Sequence, residues 1–437
     1  MKVPLSWLKE FVRIDMDPQE IARWLTLAGL EVDAIETFSL GFQGVIIAKV
    51  LKSEKHPNAD KLTLAEVTDG KEIYHIVCGA PNCKAGLISA FAPPGAILID
   101  EEGKPFKIKK TKIRGVESNG MLLSAKELGV GDAAEGIIEF PEDSILGTNL
   151  EKSLQETIFD ISLTPNLGHC YSIRGIAREL HAKTGAPLIE ETQFLQEEGD
   201  SQSIESRVEL TVADTVGCPR YACKLIQNVS VEPSPKWLQN RLESSGFRSI
   251  NTIVDATNYI LLELGHPLHA FDFDQLSGGK VIVRRASDRE KFVSLDGKEH
   301  LLNHEDLVIG DSEKSVAMAG VMGGAHSEVT ANTKNILLEC AYFDPISIRK
   351  TSKRHGLSTE ASRRFERGID PNLIPYALNR CAQLIAELSH GTVSKESIDF
   401  KTGVFSKKSI QVRLSRVIKI LGKTLSANEV ESIFKRL

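Results

Sequence analysis

The sequence predicts a multidomain α+β protein, and three observations carry that prediction. The chain has 437 residues, which at about 150 residues per domain corresponds to roughly three domains. Between about residues 39 and 150, a block of short β-like runs interrupts segments with helical periodicity on either side. Hydrophobic residues make up 41% and charged residues 26% of the chain, the balance of a soluble globular protein rather than a disordered one.

The first 38 residues form a helix-and-strand unit. DPQEIARWLTLAGLEV opens with Asp17 as N-cap, Pro18 at the first helical position and Glu20 in the first turn. Gly29 stops the helix before the apolar strand VDAI. From 39 to 150 the runs VIIAKVLKSEK, LTLAEVTDG, IYHIVCGA, ISAFAPPGAIL and KPFKIKKTKIRG are separated by turn signals such as Asp69-Gly70 and Pro93-Pro94-Gly95. Five short strands in about 100 residues predict a small barrel. YSIRGIARELHAKTG (171–185) is helical, and 191–206 is expected to be an acidic, solvated linker. A mixed α+β region runs from 207 to 400. From 405 to 437 the pattern is a strand, a helix, a turn with Ser426 as N-cap and the start of another helix, as if a further domain were cut short.

The formal net charge of -6 excludes a wholesale nucleic-acid coat protein but not local basic surfaces. Lys104 to Arg114 holds six basic residues and no acid. Arg349 to Arg367 holds seven Lys or Arg against two Glu, whereas Glu190 to Glu205 holds six acids and no base. No apolar run is long enough for a membrane span, and the N-terminus lacks the form of a signal peptide, so a cytoplasmic location is expected. The seven cysteines are scattered, as in a chain with reduced thiols. The Cys78/Cys83 and Cys218/Cys223 pairs lack a matching His pair at finger distance, so no zinc ligand set is assigned.

A five-stranded barrel of this kind can bind single-stranded nucleic acid through a strand face. Lys107, Lys109, Lys110, Lys112 and Arg114 supply charge for phosphates, and Phe91 and Phe106 supply rings for stacking. The competing reading makes the lysines a solvated face and the phenylalanines core. HPNADKL (56–62), VCGAPN (77–82) and KIRGVESNGMLLSAKELG (112–129) resemble, in order, the tRNA-binding oligonucleotide-binding (OB) fold of several synthetases and their accessory proteins.

The flanking segments extend the likeness. VPLSWLKEFV, TPN (164–166), RGIARELHAKTG, GCPRYACKLI, the stretch from SPKWLQNRL to LGHPLHAFD, AMAGVMGG, ILLECAYFDP and RHGLSTEASRRFERGIDP resemble the phenylalanyl-tRNA synthetase β-subunit family of bacterial type, in its N-terminal portion. Leu167 and His169 stand where that family usually has Arg and Asp, and His266 where it usually has Gln. The resemblance implies a discontinuous α/β first domain (1–38 with 151–190), an inserted OB-fold barrel (39–150), a mixed α+β editing domain (207–400) and the start of a small helix-containing, DNA-binding-like domain (405–437). It implies tRNA(Phe) and an α subunit as partners, in a heterotetramer of two α and two β chains. It places amino-acid activation, with its ATP and magnesium, in the whole enzyme; no motif in these residues binds either, and AGVMGG lacks the Lys-Ser/Thr ending of a phosphate loop.

The chemistry expected of this chain follows from a small difference. Phenylalanine and tyrosine differ by one hydroxyl, which an apolar pocket rejects only weakly, so a second site must hydrolyse the wrong ester. Glu339, a carboxylate inside the apolar run NILLECAYF, suits recognition of a phenol hydroxyl, and the resemblance assigns it that role; an ion pair with a nearby arginine is the structural alternative. His269 in GHPLHAFD is read as a loop residue, because Gly265 and Pro267 break helical pattern; the resemblance places it, with Pro267, at the ester or its water. Thr257 and Asn258 offer short polar groups for the amino acid or water, with a turn or cap role as the alternative. Arg248 is assigned to the 3′-terminal nucleotide, against a plain surface arginine. Gly323 permits close approach to a ligand, and Thr359 and Ala361 match the pocket wall. The basic stretch around Arg349 to Arg367 would guide the tRNA acceptor end.

Two other readings compete. His266, His269, Asp272 and Asp274 have spacings that a metallohydrolase could use, although Pro267 spoils a shared helix face. Alternatively, the chain is a non-catalytic tRNA-binding or assembly subunit with a vestigial pocket.

Overall fold

The computed structural model describes residues 1–38, 41–100, 104–131, 133–153, 155–189 and 203–437. Most of the acidic stretch expected to be a linker (191–206) lies outside the described residues; within its remainder, Ile204–Ser206 form one 3-10 turn. The chain gathers into two compact units, one of Met1–Ile35, Phe159–Ser234 and Ser245–Leu437, the other of Glu36–Ile158 with Pro235–Ser244. The helix Lys236–Ser244, assigned by sequence to the 207–400 region, therefore clusters with the β-rich unit.

In the larger unit, the N-terminal residues form the helix Pro18–Leu27, whose cap Asp17 accepts the Gln19 N–H at 2.8 Å. Gly29, just beyond it, takes a φ of +96° that a side chain would disfavour. A three-stranded sheet sets Glu156–Ser162 between Lys2–Pro4 and Glu31–Phe38. The terminal ammonium adds bonds to Ile161 O (2.6 Å) and Asp160 (3.3 Å). Helix Ile173–Thr184 follows, capped by Ser172 and ended by left-handed Gly185.

Two five-stranded sheets dominate the rest of this unit. One places Ile336–Tyr342 between Leu268–Asp272 and Arg220–Gln227; Thr392–Val393 and Ile398–Lys401 pair with the latter. The other runs Glu209–Val212, Lys280–Arg285, Leu307–Gly310, Ser315–Met318, Met322–Gly323, with only its first pair parallel. Alternation sends Tyr221, Leu225, Phe271, Leu337 and Ala341 to one face, where they share a core with Val283, Val308, Ile309 and Met318 of the second sheet. The opposite face carries Lys224 and Cys340, which bond to Asn379 (2.8 Å) and Ile374 O (3.7 Å) of helix Ile374–Ser389. Helix Thr252–Leu264 packs beside that helix. The site below grows from the sheet-to-sheet face.

The chain's last helices are Leu414–Leu421 and Ala427–Arg436, the second opened by a Ser426–Glu429 capping box. The strand expected near 409–413 does not form: no described strand lies beside it to take up its backbone hydrogen bonds.

The smaller unit is built on an antiparallel sheet in the order Met121–Leu122, Ile88–Ala92, Ile46–Lys55, Thr63–Thr68, Ile73–Cys78. Asn119 N–H donates to His75 O (2.8 Å) and Val77 N–H to Ser118 Oγ (3.0 Å), drawing the two outer edges together into a nearly closed barrel. The basic segment expected as one strand is two. Pro105–Lys107 pairs with Ile97–Ile99, and Thr111–Ile113 with Val116–Ser118. Buried Ile108 anchors the break between them. Arg114 (φ +51°) and Gly115 (φ +91°) make the tight turn of the second hairpin. Phe91 is fully buried against Tyr74, so it is core rather than a stacking platform. Phe106, by contrast, is exposed.

Candidate active site

Antiparallel register sets Glu339 directly between Cys223 on one neighbour and His269 on the other. Paired residues in such a ladder share a face, so the carboxylate and the imidazole stand side by side. His269 is thus a strand residue, not a loop residue. The preceding helix ends at left-handed Gly265, and three residues later the chain has already joined the sheet.

Two positions along its strand, Tyr221 shares this face. Its hydroxyl donates to Glu339 Oε2 at 3.0 Å. Glu339 therefore satisfies one oxygen with a phenol rather than an arginine, and among the described residues Oε1 has no hydrogen-bond partner. Burial pushes the Glu339 carboxyl up to about 8, with the Tyr221 bond pulling the other way. Burial, and then the facing carboxylate, hold the Tyr221 phenol well above its ordinary range. His269 keeps part of its surface open, yet desolvation lowers its imidazole to about 4. At neutral pH the imidazole is therefore uncharged, and Phe271 meets its ring edge-on at 4.5 Å.

Gly323 closes over His269 from the second sheet. A Cβ at that position would lie 2.7 Å from His269 Cε1 and 3.0 Å from Nε2. The glycine is required by that approach, not by its φ. Thr359 arrives from a third direction. Its hydroxyl donates to Val321 O (2.9 Å), two residues before Gly323, and accepts the Ser362 N–H (3.0 Å) as N-cap of helix Glu360–Phe365. Ala361, in the first turn of that helix, packs on the same core. Glu339, His269 and Gly323 thus meet at one place, with Thr359 holding the carbonyl two residues before Gly323 and Ala361 packed on the same core.

The remaining predicted residues are less convergent. Thr257 and Asn258 lie inside helix Thr252–Leu264, not in a turn, and the Thr257 hydroxyl turns back to Val254 O at 2.7 Å. The cap of that helix is Asn251, which accepts from Ile253 and Val254 N–H. Pro267 is buried between the helix and the strand. Arg248 is exposed on a segment pinned by buried Asp255, which accepts from Ser234, Ser249 and Ile250. The metallohydrolase quartet is dispersed. His269 and Asp272, three residues apart on one strand, project to opposite faces about 10 Å apart. His266 is fully buried with Nε2 on Ala341 O (3.2 Å), and Asp272 accepts from Thr333 at 2.6 Å. The basic stretch is also partly spent. Arg354 pairs with Glu305 and Asp306, and buried Arg364 bonds to Glu360 and Tyr171 O, leaving Arg349, Lys350 and Lys353 exposed. On the smaller unit, Lys107, Lys109, Lys110, Lys112 and Arg114 are all exposed, with Glu117 at 3.9 Å from Lys112.

Sequence reasoning missed Tyr221, whose pairing with Glu339 spans 118 residues. The one local hint was a tyrosine in the strand-like run RYACKLI, since a buried tyrosine needs a partner for its hydroxyl.

Residues 217–390, which contain this site, match the family described as "B3/4 domain", and residues 45–149 match "Putative tRNA binding domain". The phenylalanine–tRNA ligase β subunit of Protochlamydia amoebophila is 55% identical over 437 residues, covering 100% of this chain and 54% of the relative. That of Geobacter metallireducens is 48% identical, again over 100% of this chain and 54% of the relative. The chain spans about half the length of the curated relatives it matches. An N-terminal fragment of the phenylalanyl-tRNA synthetase β-subunit from Pyrococcus horikoshii shares 17% identity over 64% of this chain and 77% of that one, with a TM-score of 0.32. With end-to-end identity of this order and both family matches in place, the chain belongs to the phenylalanine–tRNA ligase β-subunit family, as its N-terminal portion.

Proposed function

We propose that this chain hydrolyses tyrosine from mischarged tRNA(Phe), and that it does so as part of a ligase whose α subunit attaches phenylalanine with ATP and magnesium. The observation that carries the reading is a buried carboxyl with one oxygen held by Tyr221 and the other unpartnered, beside an uncharged imidazole under a glycine. A substrate phenol reaching Oε1 gains a hydrogen bond that phenylalanine cannot make, and a site built on such a bond discriminates strongly. His269, with an imidazole lowered to about 4, is a weak base at neutral pH. Its role is to orient the attacking water or the ester carbonyl by hydrogen bonding, in a reaction whose ester is already activated. Thr359 fixes the Val321 carbonyl and with it the Gly323 strand. Pro267 sets the entry into the His269 strand, Ala361 limits the pocket, and Thr257, Asn258 and Arg248 serve substrate positioning at a greater remove.

The barrel, with its exposed lysines and Phe106, is the tRNA contact surface. The division into first domain, barrel, editing domain and DNA-binding-like start belongs to the same proposal, as does assembly into a heterotetramer working in the cytoplasm. No described helix is long and apolar enough to cross a membrane.

A second reading has one observation in its favour: Tyr221 already gives Glu339 a phenol, as a purely structural carboxyl would require. The deciding experiment is hydrolysis of tyrosyl-tRNA(Phe) by this chain, with phenylalanyl-tRNA(Phe) as control, for the wild type and Glu339→Gln. Selective loss of the tyrosyl ester that fails in the folded variant supports editing. Equal, background hydrolysis by both proteins and by the full heterotetramer supports the vestigial pocket.

A further inference from the structure

Outside the candidate active site, His169, Cys170 and Glu179 bring an imidazole nitrogen, a thiol sulfur and a carboxylate oxygen within 4.8 Å of one another. His169 and Cys170 belong to the 3-10 turn Gly168–Cys170, and Glu179 to the helix that follows. We propose that these three side chains form a divalent transition-metal site, zinc by preference, that clamps the turn to the helix.

Three features support the assignment. The donor set is mixed nitrogen, sulfur and oxygen, which suits zinc and its cobalt substitute and is poorly suited to calcium or magnesium. The turn is already held in place without the metal. Ser172 Oγ caps Gly175 N–H at 2.9 Å and donates to His169 O at 3.3 Å. Gly175 lets that carbonyl rest on the helix, since a Cβ there would meet His169 O at 1.9 Å. Finally, access and charge agree. The His169 side chain is 56% exposed while Glu179 is 15% exposed and Cys170 is buried, so an ion enters along the imidazole and keeps a water on that side.

His169 Nε2 and Glu179 Oε1 now lie 2.8 Å apart in a direct hydrogen bond. Ligands at zinc-like bond lengths of about 2.0–2.3 Å sit roughly 3.3–3.7 Å from one another, so the pair opens by about half an ångström and the ion takes the place of the shared proton. Two protons move. Cys170 gives up its thiol proton to solvent, and the proton shared by His169 Nε2 and Glu179 passes through solvent to His169 Nδ1; the freed Nε2 and the carboxylate each contribute a lone pair, and thiolate plus carboxylate neutralise the dication. Tyr171, next in the chain, gives its carbonyl to Arg364 Nε (3.1 Å), so the clamp lies one residue from a partner of helix Glu360–Phe365.

The test is titration of the metal-free chain with Co²⁺, read by near-ultraviolet thiolate-to-cobalt charge-transfer absorption, with Zn²⁺ as competitor. The expected result is one Co²⁺ per chain, displaced by one Zn²⁺, with the absorption lost in Cys170→Ser and affinity at least tenfold weaker in His169→Ala and Glu179→Gln. No charge-transfer absorption in the folded wild type overturns the proposal, and so does absorption that persists in Cys170→Ser. Should Cys170→Ser fail to fold, Glu179→Gln decides: unchanged cobalt affinity in that variant overturns the site.

Discussion

Tyr221 donates its phenol hydrogen to Oε2 of Glu339 at 3.0 Å, with both side chains buried on the face where the two sheets meet. The protein's own phenol thus makes the kind of bond proposed for the substrate's. Tyr221→Phe leaves that oxygen without its donor and is expected to cost about 1–3 kcal/mol of stability, the usual penalty for a stranded buried group. It also removes the one interaction that holds the Glu339 pKa down, so the carboxyl titrates higher still. Urea unfolding gives the first quantity and carbon-13 NMR of the labelled carboxyl the second. An unshifted carboxyl titration would contradict the coupling.

Glu339 also sets a pH dependence. Its folded-state pKa of about 8 is raised above the ordinary 4.5. Its contribution is therefore fully present below the unfolded pKa and is lost as pH rises through about 8. His266 and His269 act in the opposite sense, being lowered to about 4. Their contributions are present above the unfolded value and are lost as pH falls toward 4. From well above 4.5 to just below 8 the carboxyl alone lowers stability by about 1.4 kcal/mol per pH unit, while the two histidines act oppositely up to about 6.5 and drop out above it. Glu339→Gln should remove this slope, measured as the wild-type-minus-variant difference in unfolding free energy across the window.

Gly323→Ala places a methyl group 2.7 Å from His269 Cε1. The imidazole must move, and a shift of about 1 Å at a positioning group costs on the order of 100-fold in rate. Hydrolysis of tyrosyl-tRNA(Phe) should fall by that order while far-ultraviolet circular dichroism stays native. A fall of less than twofold would separate His269 from the chemistry.

Ala361→Trp overfills a first-turn position that packs on the core, at a cost of about 1–3 kcal/mol. Its expected signature is loss of tyrosyl-ester hydrolysis with tRNA affinity intact, read by nitrocellulose filter binding alongside the hydrolysis assay.

Lys109→Glu with Lys110→Glu reverses two exposed charges between the barrel's hairpins. Binding of tRNA should weaken, and the slope of log K against log salt should flatten by roughly 0.7–0.9 per lost phosphate contact. Equal slopes for variant and wild type would remove these lysines from the interface.

Much of this molecule was legible in its sequence where the signal is local. Asp17 and Ser426 cap the helices that their positions announced. Glu339 stood out because a carboxylate in an aliphatic strand needs a reason. What the sequence concealed was non-local. The basic run looked like one strand, but Ile108 divides it between two hairpins. His269 sat beside a glycine and a proline that suggest a loop, yet ladder pairing with Glu339 makes it a strand. Thr257 and Asn258 are residue types that also suit caps, but the true cap, Asn251, lies six and seven positions earlier. Register, the property that joins Cys223, Glu339 and His269 in a row, depends on partners that no window of one strand contains.

The three strands that form the candidate site begin at residues 220, 268 and 336, and four of the second sheet's five strands are threaded between the last two. On a ribosome, His269 would emerge long before the carboxylate that completes its surroundings. Under the proposed function, a nascent chain halted between the end of the barrel and residue 339 carries a finished barrel and no esterase. Catalytic competence, under the proposed function, arrives in a single late step of synthesis, so half-made chains could bind tRNA but could not strip it.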